Sequence, residues 1–240
     1  MRVALFVPCY VDQLFPHVAV ASLELLEKLG CEVVYPLDQT CCGQPMANSG
    51  FEKEGDAALS LFEQNFAGFE YIVSPSGSCV LHVKDHASKD ANSVRTRVYE
   101  LAEFLVDVLK VEKLPARFSG SVGLHQSCHG LRGLRLGKSS ELMGPADDKV
   151  KKLLGLVKGL QLVDLNRGDE CCGFGGTFAV TEEAISVKMG RDRLKDHLSN
   201  GAEIITGTDM SCIMHLQGLA TREKQHVRFM HLAEILNEGW

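Results

Sequence analysis

Tyr71-Ile72-Val73-Ser74-Pro75-Ser76-Gly77-Ser78-Cys79-Val80-Leu81-His82-Val83 and Ile204-Ile205-Thr206-Gly207-Thr208-Asp209-Met210-Ser211-Cys212-Ile213-Met214-His215-Leu216 are two versions of one segment. Apolar positions fall on apolar positions, and each version carries Ser-Cys with a His three residues later. The match extends outward. Cys41-Cys42-Gly43 faces Cys171-Cys172-Gly173, and Leu101-Ala102-Glu103 faces Leu232-Ala233-Glu234. Cys9 and Cys128 each close a short apolar run. The matched positions lie 119, 130, 133 and 131 residues apart, similar but not constant, as duplication with small insertions requires. Two copies are too few for a solenoid. The chain therefore reads as two fused, pseudo-symmetric domains, 1–116 and 117–240. The boundary falls where Leu114-Pro115-Ala116-Arg117-Phe118-Ser119-Gly120 interrupts the pattern.

Within each half, short β-like runs alternate with helical patterns. Strands are expected at Val3–Val7, Cys31–Tyr35 and Tyr71–Ser74, then at Ser121–Leu124, Gln161–Asp164 and Glu203–Thr206. Helices are expected at Ala19–Leu29, Phe51–Phe66, from Cys79 onward, at Val98–Lys110 and at Thr181–Asn200. Such alternation predicts an α/β fold, each repeat a small parallel sheet flanked by helices. Cys9, Cys41-Cys42 and Cys79 each follow the carboxyl end of an expected strand, as do Cys128, Cys171-Cys172 and Cys212. Open parallel sheets bind ligands at that edge. Each set of four cysteines is thus expected to converge on one point.

Composition narrows the chemistry. The 240 residues are 45% hydrophobic and 23% charged, with a net charge of −6. This is an ordinary globular balance with no basic patch for nucleic acid. Lys149, Lys151 and Lys152 stand with Asp147 and Asp148 and read as a solvated helix face. No run reaches the ~18 apolar residues of a membrane span, and the N-terminal run lacks a signal peptide's length and cleavage site. A cytoplasmic location is expected. Nine cysteines then argue against a disulfide framework and for a metal or cluster site. Four thiolates suit a soft metal or an iron–sulfur cluster. Zinc also takes four cysteines, although an adjacent Cys-Cys is not zinc-knuckle spacing. A thiol–disulfide role for the vicinal pairs has no Cys-x-x-Cys in support. Gly43 and Gly173 provide the backbone freedom an adjacent pair needs, and Gly175 and Gly176 leave N–H groups free for sulfur. Cys31 has no counterpart and reads as a core residue.

The pattern resembles the duplicated cysteine-rich CCG domain found in a subunit of heterodisulfide reductase and in the iron–sulfur subunit of glycolate oxidase. It is most similar to the lactate utilization protein A family, through Cys41–Gly50, Ser74–Cys79 and Cys171–Phe178. The resemblance implies a non-flavin iron–sulfur subunit of a complex oxidising L-lactate to pyruvate. Its partners would be a ferredoxin-like iron–sulfur protein and a third lactate-utilization subunit. Its cofactor would be one or two [4Fe-4S] clusters on Cys9, Cys41, Cys42 and Cys79, and on Cys128, Cys171, Cys172 and Cys212. The full family motif ends each half in Cys-x-x-Cys. The first cysteine of that pair is replaced by Ser76 in one half and Asp209 in the other. Four cysteines per half suit a cubane rather than the noncubane cluster of the reductase, with Ser76 and Asp209 as candidate oxygen ligands.

Other residues have two readings each. His82 and His215 share a helix face with the last cysteine of their set, to serve a cluster sulfur or simply to pack on the sheet. His125 and His129 bracket Cys128 in the second half alone and are candidates for substrate protonation. Arg132, Arg135 and Lys138 suit a carboxylate or a solvated turn. Gly173-Phe174-Gly175-Gly176 is only loosely like a phosphate loop, without its Lys-Ser/Thr.

Overall fold

The structure, a computed structural model, describes residues 1–90, 93–143 and 147–240. The first half runs β1 (Arg2–Leu5), α1 (Cys9–Leu14), α2 (Pro16–Lys28), β2 (Glu32–Val34), α3 (Gln44–Asn48) and α4 (Glu52–Phe66). It continues with β3 (Ile72–Ser74), α5 (Gly77–His86), β4 (Val98–Glu100) and α6 (Leu101–Glu103), which widens into a π-helical turn, Phe104–Val108. The second half runs β5 (Arg117–Leu124), a π-helical turn His129–Gly133, α7 (Lys149–Leu154), β6 (Lys158–Val163), α8 (Phe178–Thr181) and α9 (Glu183–Ser199). It closes with β7 (Ile204–Gly207), α10 (Met210–Arg222), β8 (Arg228–His231) and α11 (Leu232–Asn237).

Each half builds a four-stranded, all-parallel sheet, in the orders β2-β1-β3-β4 and β6-β5-β7-β8. The inner strands β3 and β7 are completely buried, because helices cover both faces of a parallel sheet. The two halves share one apolar core.

The expected helix Val98–Lys110 needs correction. Its first three residues form β4, paired with Ile72–Ser74, and the helix begins only at Leu101. Glu100 sets that boundary. Its side chain accepts from the N–H groups of Ala102 and Glu103, and Glu103 reaches back to the N–H of Glu100, a reciprocal cap that starts a helix. The equivalent β8 was absent from the expected strands, and His231 caps α11 in the same way. Each of these strands runs straight into its helix, its last residue, Glu100 or His231, serving as the helix cap, so no turn residue separates the two patterns.

The halves interlock. Helix α11 of the second half packs on α2 of the first, while α6 of the first packs on α7 of the second. At the first seam Lys28 Nζ donates to Asn237 Oδ1 at 2.7 Å and Asn237 Nδ2 donates to Glu24 Oε2 at 2.7 Å.

Candidate functional site

Cys9 opens α1 and Cys79 lies in the first turn of α5. Cys41 and Cys42 occupy the loop between β2 and α3. Cys128 immediately precedes the His129–Gly133 turn, Cys171 and Cys172 lie between β6 and α8, and Cys212 lies in the first turn of α10. Every one sits past the carboxyl end of a strand, where parallel sheets leave a crevice.

The glycine after each pair makes the bend. Gly43 and Gly173 have φ of 92° and 88°, which side chains rarely tolerate. A Cβ on Gly43 would run into the carbonyl oxygen of Gly55 in α4, and one on Gly173 into that of Ser186 in α9. The turn is therefore pressed against the following helix, and its N–H faces inward: Gly43 N donates to Cys41 Sγ at 3.4 Å and Gly173 N to Cys171 Sγ at 3.3 Å.

The thiols form two runs, Cys9–Cys41–Cys42–Cys79 and Cys128–Cys171–Cys172–Cys212, in which each thiol shifts the ionisation of a neighbour. Cys41 is pushed down to about 2 by hydrogen bonds from Cys42 and Cys9. Cys171 is likewise pushed down to about 2 by Cys128 and Cys172. The donating neighbours move up: Cys9 and Cys128 through their bonds to Cys41 and Cys171, Cys42 and Cys172 through theirs to the same partners. All nine cysteines are free. Four sulfurs in one run, with backbone N–H groups aimed at them, fit a thiolate-ligated metal or cluster. Cys31 stands apart, buried beside β2, where burial raises its thiol.

A cavity of about 460 Å³ opens between the halves. Cys128, Cys171, Cys172 and Cys212 all line it, with His125 and His129, whereas Cys9 alone represents the first set. Ser49 and Thr177 meet across its rim at 2.6 Å between hydroxyl oxygens.

The structure brings His125 to the second set: its ring nitrogen and the sulfurs of Cys172 and Cys212 lie within 4.8 Å of one another. Burial pushes His125 down to about 3, so the ring is neutral, and neither nitrogen has a hydrogen-bond partner among the described residues. His82 is lowered to about 4, also by burial, and stacks on His86 at 4.4 Å. Burial lowers His215 too.

Ser76 and Asp209 serve the joint between the halves. Ser76 Oγ accepts from the N–H of Cys79 at 3.4 Å, capping α5. Asp209 accepts from Ser78 N at 2.7 Å, Tyr10 Oη at 3.1 Å, Ser78 Oγ at 3.2 Å and Ser211 Oγ at 3.0 Å. Arg132 pairs with Glu141 and lies 3.7 Å from Asp169. Arg135 occupies a turn with φ of 57°. Lys151 and Lys152 are exposed on α7.

Sequence reasoning missed the polar cluster behind His125. Arg193 is fully buried in α9. Its Nε donates to His197 Nε2 at 3.2 Å and its Nη1 to Asp196 Oδ2 at 3.1 Å. The signal was an Arg and a His on the inward face of an otherwise ordinary helix.

The cysteine-rich CCG domain matches residues 3–84 and 122–217. The chain is 42% identical to lactate utilization protein A of an Exiguobacterium strain, covering 99% of this chain and 98% of that protein. It is 41% identical to lactate utilization protein A of Bacillus subtilis, with 99% of each covered. Among solved structures, glutamate racemase RacE1 of Bacillus anthracis aligns over 98% of this chain and 78% of its own, at 11% identity and a TM-score of 0.35. No helix among the described residues is long and apolar enough to cross a membrane. With two CCG domains, and with relatives near 40% identity along its whole length, the chain belongs to the lactate utilization protein A family.

Proposed function

We propose that this protein is the iron–sulfur redox subunit of a cytoplasmic complex that oxidises L-lactate to pyruvate, allowing lactate to be used. The observation that carries the reading is the pair of four-thiol runs, one per half, at the carboxyl edges of two parallel sheets. The names of the relatives support the substrate. Cys9, Cys41, Cys42 and Cys79 would hold one [4Fe-4S] cluster, and Cys128, Cys171, Cys172 and Cys212 a second. Such clusters supply one-electron transfer. Oxidising lactate releases two electrons and two protons. The chain has no flavin fingerprint, so a ferredoxin-like iron–sulfur protein and a third subunit would share that work.

Anaerobic purification followed by iron and acid-labile sulfide analysis tests the reading. Iron and sulfide in equal amounts, a brown absorption band and an electron paramagnetic resonance signal on reduction are expected. Protein that takes up neither under reconstitution would overturn it. A zinc site is the second reading, favoured by the compact His125–Cys172–Cys212 group. It requires zinc without sulfide in the same assay.

A further inference from the structure

The two halves keep the same cysteines but differ in what lies behind them. Phe6 N donates to Val73 O at 2.8 Å and His125 N donates to Thr206 O at 2.7 Å, so Phe6 and His125 occupy one position of the duplicated unit. Gly43 against Gly55 and Gly173 against Ser186 put α4 and α9 in register. That register matches Phe62 with Arg193 and Phe66 with His197. In the first half Phe6, Phe62 and Phe66 pack ring to ring at 4.5–5.7 Å between centroids. In the second half the same three places hold His125, Arg193 and His197, all buried.

Arg193 is paired with Asp196, so net charge behind the second set is not the main difference. The difference is a donor. A neutral imidazole carries one N–H, and a buried N–H without a partner is rare in folded proteins. His125 is 2% exposed, has no partner at either nitrogen among the described residues, and faces Cys172 and Cys212. The second set also receives an extra backbone donor, Phe174 N to Cys172 Sγ at 3.5 Å, and all four of its cysteines line the cavity. His82 and His215 recur in both halves, but of the two only His215 has a buried ring nitrogen, Nε2, without a partner among the described residues; His125 differs from both in having no counterpart in the first half, where Phe6 stands. Cys9 is the more exposed of the two leading cysteines, so solvent access does not single out the second set; its added donors do, because hydrogen bonds to sulfur favour the reduced, more negative form of a cluster and so raise its potential.

We propose that His125 donates a hydrogen bond to sulfur of the second cysteine set and makes it the higher-potential centre of two unequal ones. The inference rests on the iron–sulfur reading above. One electron lost by the first set is then one electron gained by the second, and reducing equivalents collect at the set that faces the cavity.

The test is a potentiometric titration of the anaerobically reconstituted full chain, followed by electron paramagnetic resonance. Wild type should show two waves. His125→Phe, which installs the first half's own residue, should lower the upper wave and leave the lower one in place. A purely structural role for His125 would reduce iron content without moving a potential. Cys41→Ser, which disables the first set, should leave the upper wave. A single wave in wild type with both sets loaded, an upper wave unmoved in His125→Phe, or an upper wave lost in Cys41→Ser would each overturn the proposal. Should His125→Phe not fold, protein labelled with ¹⁵N-histidine decides by pulsed resonance. Histidine ring-nitrogen coupling to the upper-wave species that persists in the His129→Gln/His215→Gln double variant supports the proposal, and its absence there refutes it. Protein without iron and sulfide is recognised by metal analysis before any titration, and refutes the parent reading instead.

Discussion

Ser76 and Asp209 occupy equivalent positions in the two halves and pair with each other as an isolated antiparallel bridge. A residue that touches its own counterpart marks the pseudo-two-fold axis. Each also sits three residues before the last cysteine of its set, so the joint and both candidate centres share one scaffold. Asp209 is 1% exposed. A carboxylate so deeply buried persists only when donors surround it, and those donors come from both halves.

Asp209→Ala should therefore loosen the joint. Ser78 N and Tyr10 Oη would lose their acceptor, at a cost of roughly 2–4 kcal/mol. Asp209→Asn keeps one carbonyl oxygen for Ser78 N and should cost about half of that. Denaturant unfolding of the two variants beside wild type measures both, and equal stability of all three would refute the assigned role.

Gly173→Ala should weaken the second cysteine set. The substitution combines an unfavourable φ of 88° with a Cβ placed 2.6 Å from the Ser186 carbonyl oxygen. A loss of about 1–3 kcal/mol is expected from backbone strain alone. Thermal unfolding reads the loss. Gly168→Ala, where nothing among the described residues lies within 4 Å of the added methyl, is the control and should be nearly silent.

Glu100 should make the protein less stable as pH rises. It is fully buried, and desolvation lifts its carboxyl to about 8 from 4.5. The folded-state value lies above the unfolded one, so the stabilisation is complete below about pH 4.5. It is lost as pH rises through 8. At 1.36 kcal/mol per unit, the loss between those limits is roughly 3–5 kcal/mol. Glu100→Gln removes the titration. The variant should gain on wild type steadily between pH 5 and pH 8 in denaturant unfolding and level off above that, and a constant difference from pH 5 to pH 8 would contradict the assignment.

Cys171→Ser and Cys41→Ser should each remove about half of the iron, since each cysteine is the central acceptor of its own run. The double variant should hold none. Iron analysis after identical reconstitution decides, and full loss from either single variant would mean that the two sets are not independent.

Much of this was legible in one chain. The duplicated cysteine pattern, the strand–helix alternation and the placement of cysteines after strands are local properties, carried by residues a few positions apart. The outer strands β4 and β8 were not legible, because each runs without a turn into a helix and its last residue, Glu100 or His231, is that helix's buried polar cap. The exchange of Phe6, Phe62 and Phe66 for His125, Arg193 and His197 was present in the letters. It became visible only once Gly43 on Gly55 and Gly173 on Ser186 put the two helices in register.

By itself the sequence determined that two copies of one unit bring four thiols each to the carboxyl edge of a parallel sheet. Strand polarity dictates that edge, and β-period and helix-period patterns are written in neighbouring residues. The tertiary structure alone decided how the copies meet: Ser76 on Asp209, α11 on α2, α6 on α7, and a cavity that faces one cysteine set more than the other. Those contacts join residues far apart along the chain, and their energies depend on burial and on which donors reach which acceptors. No local pattern encodes that.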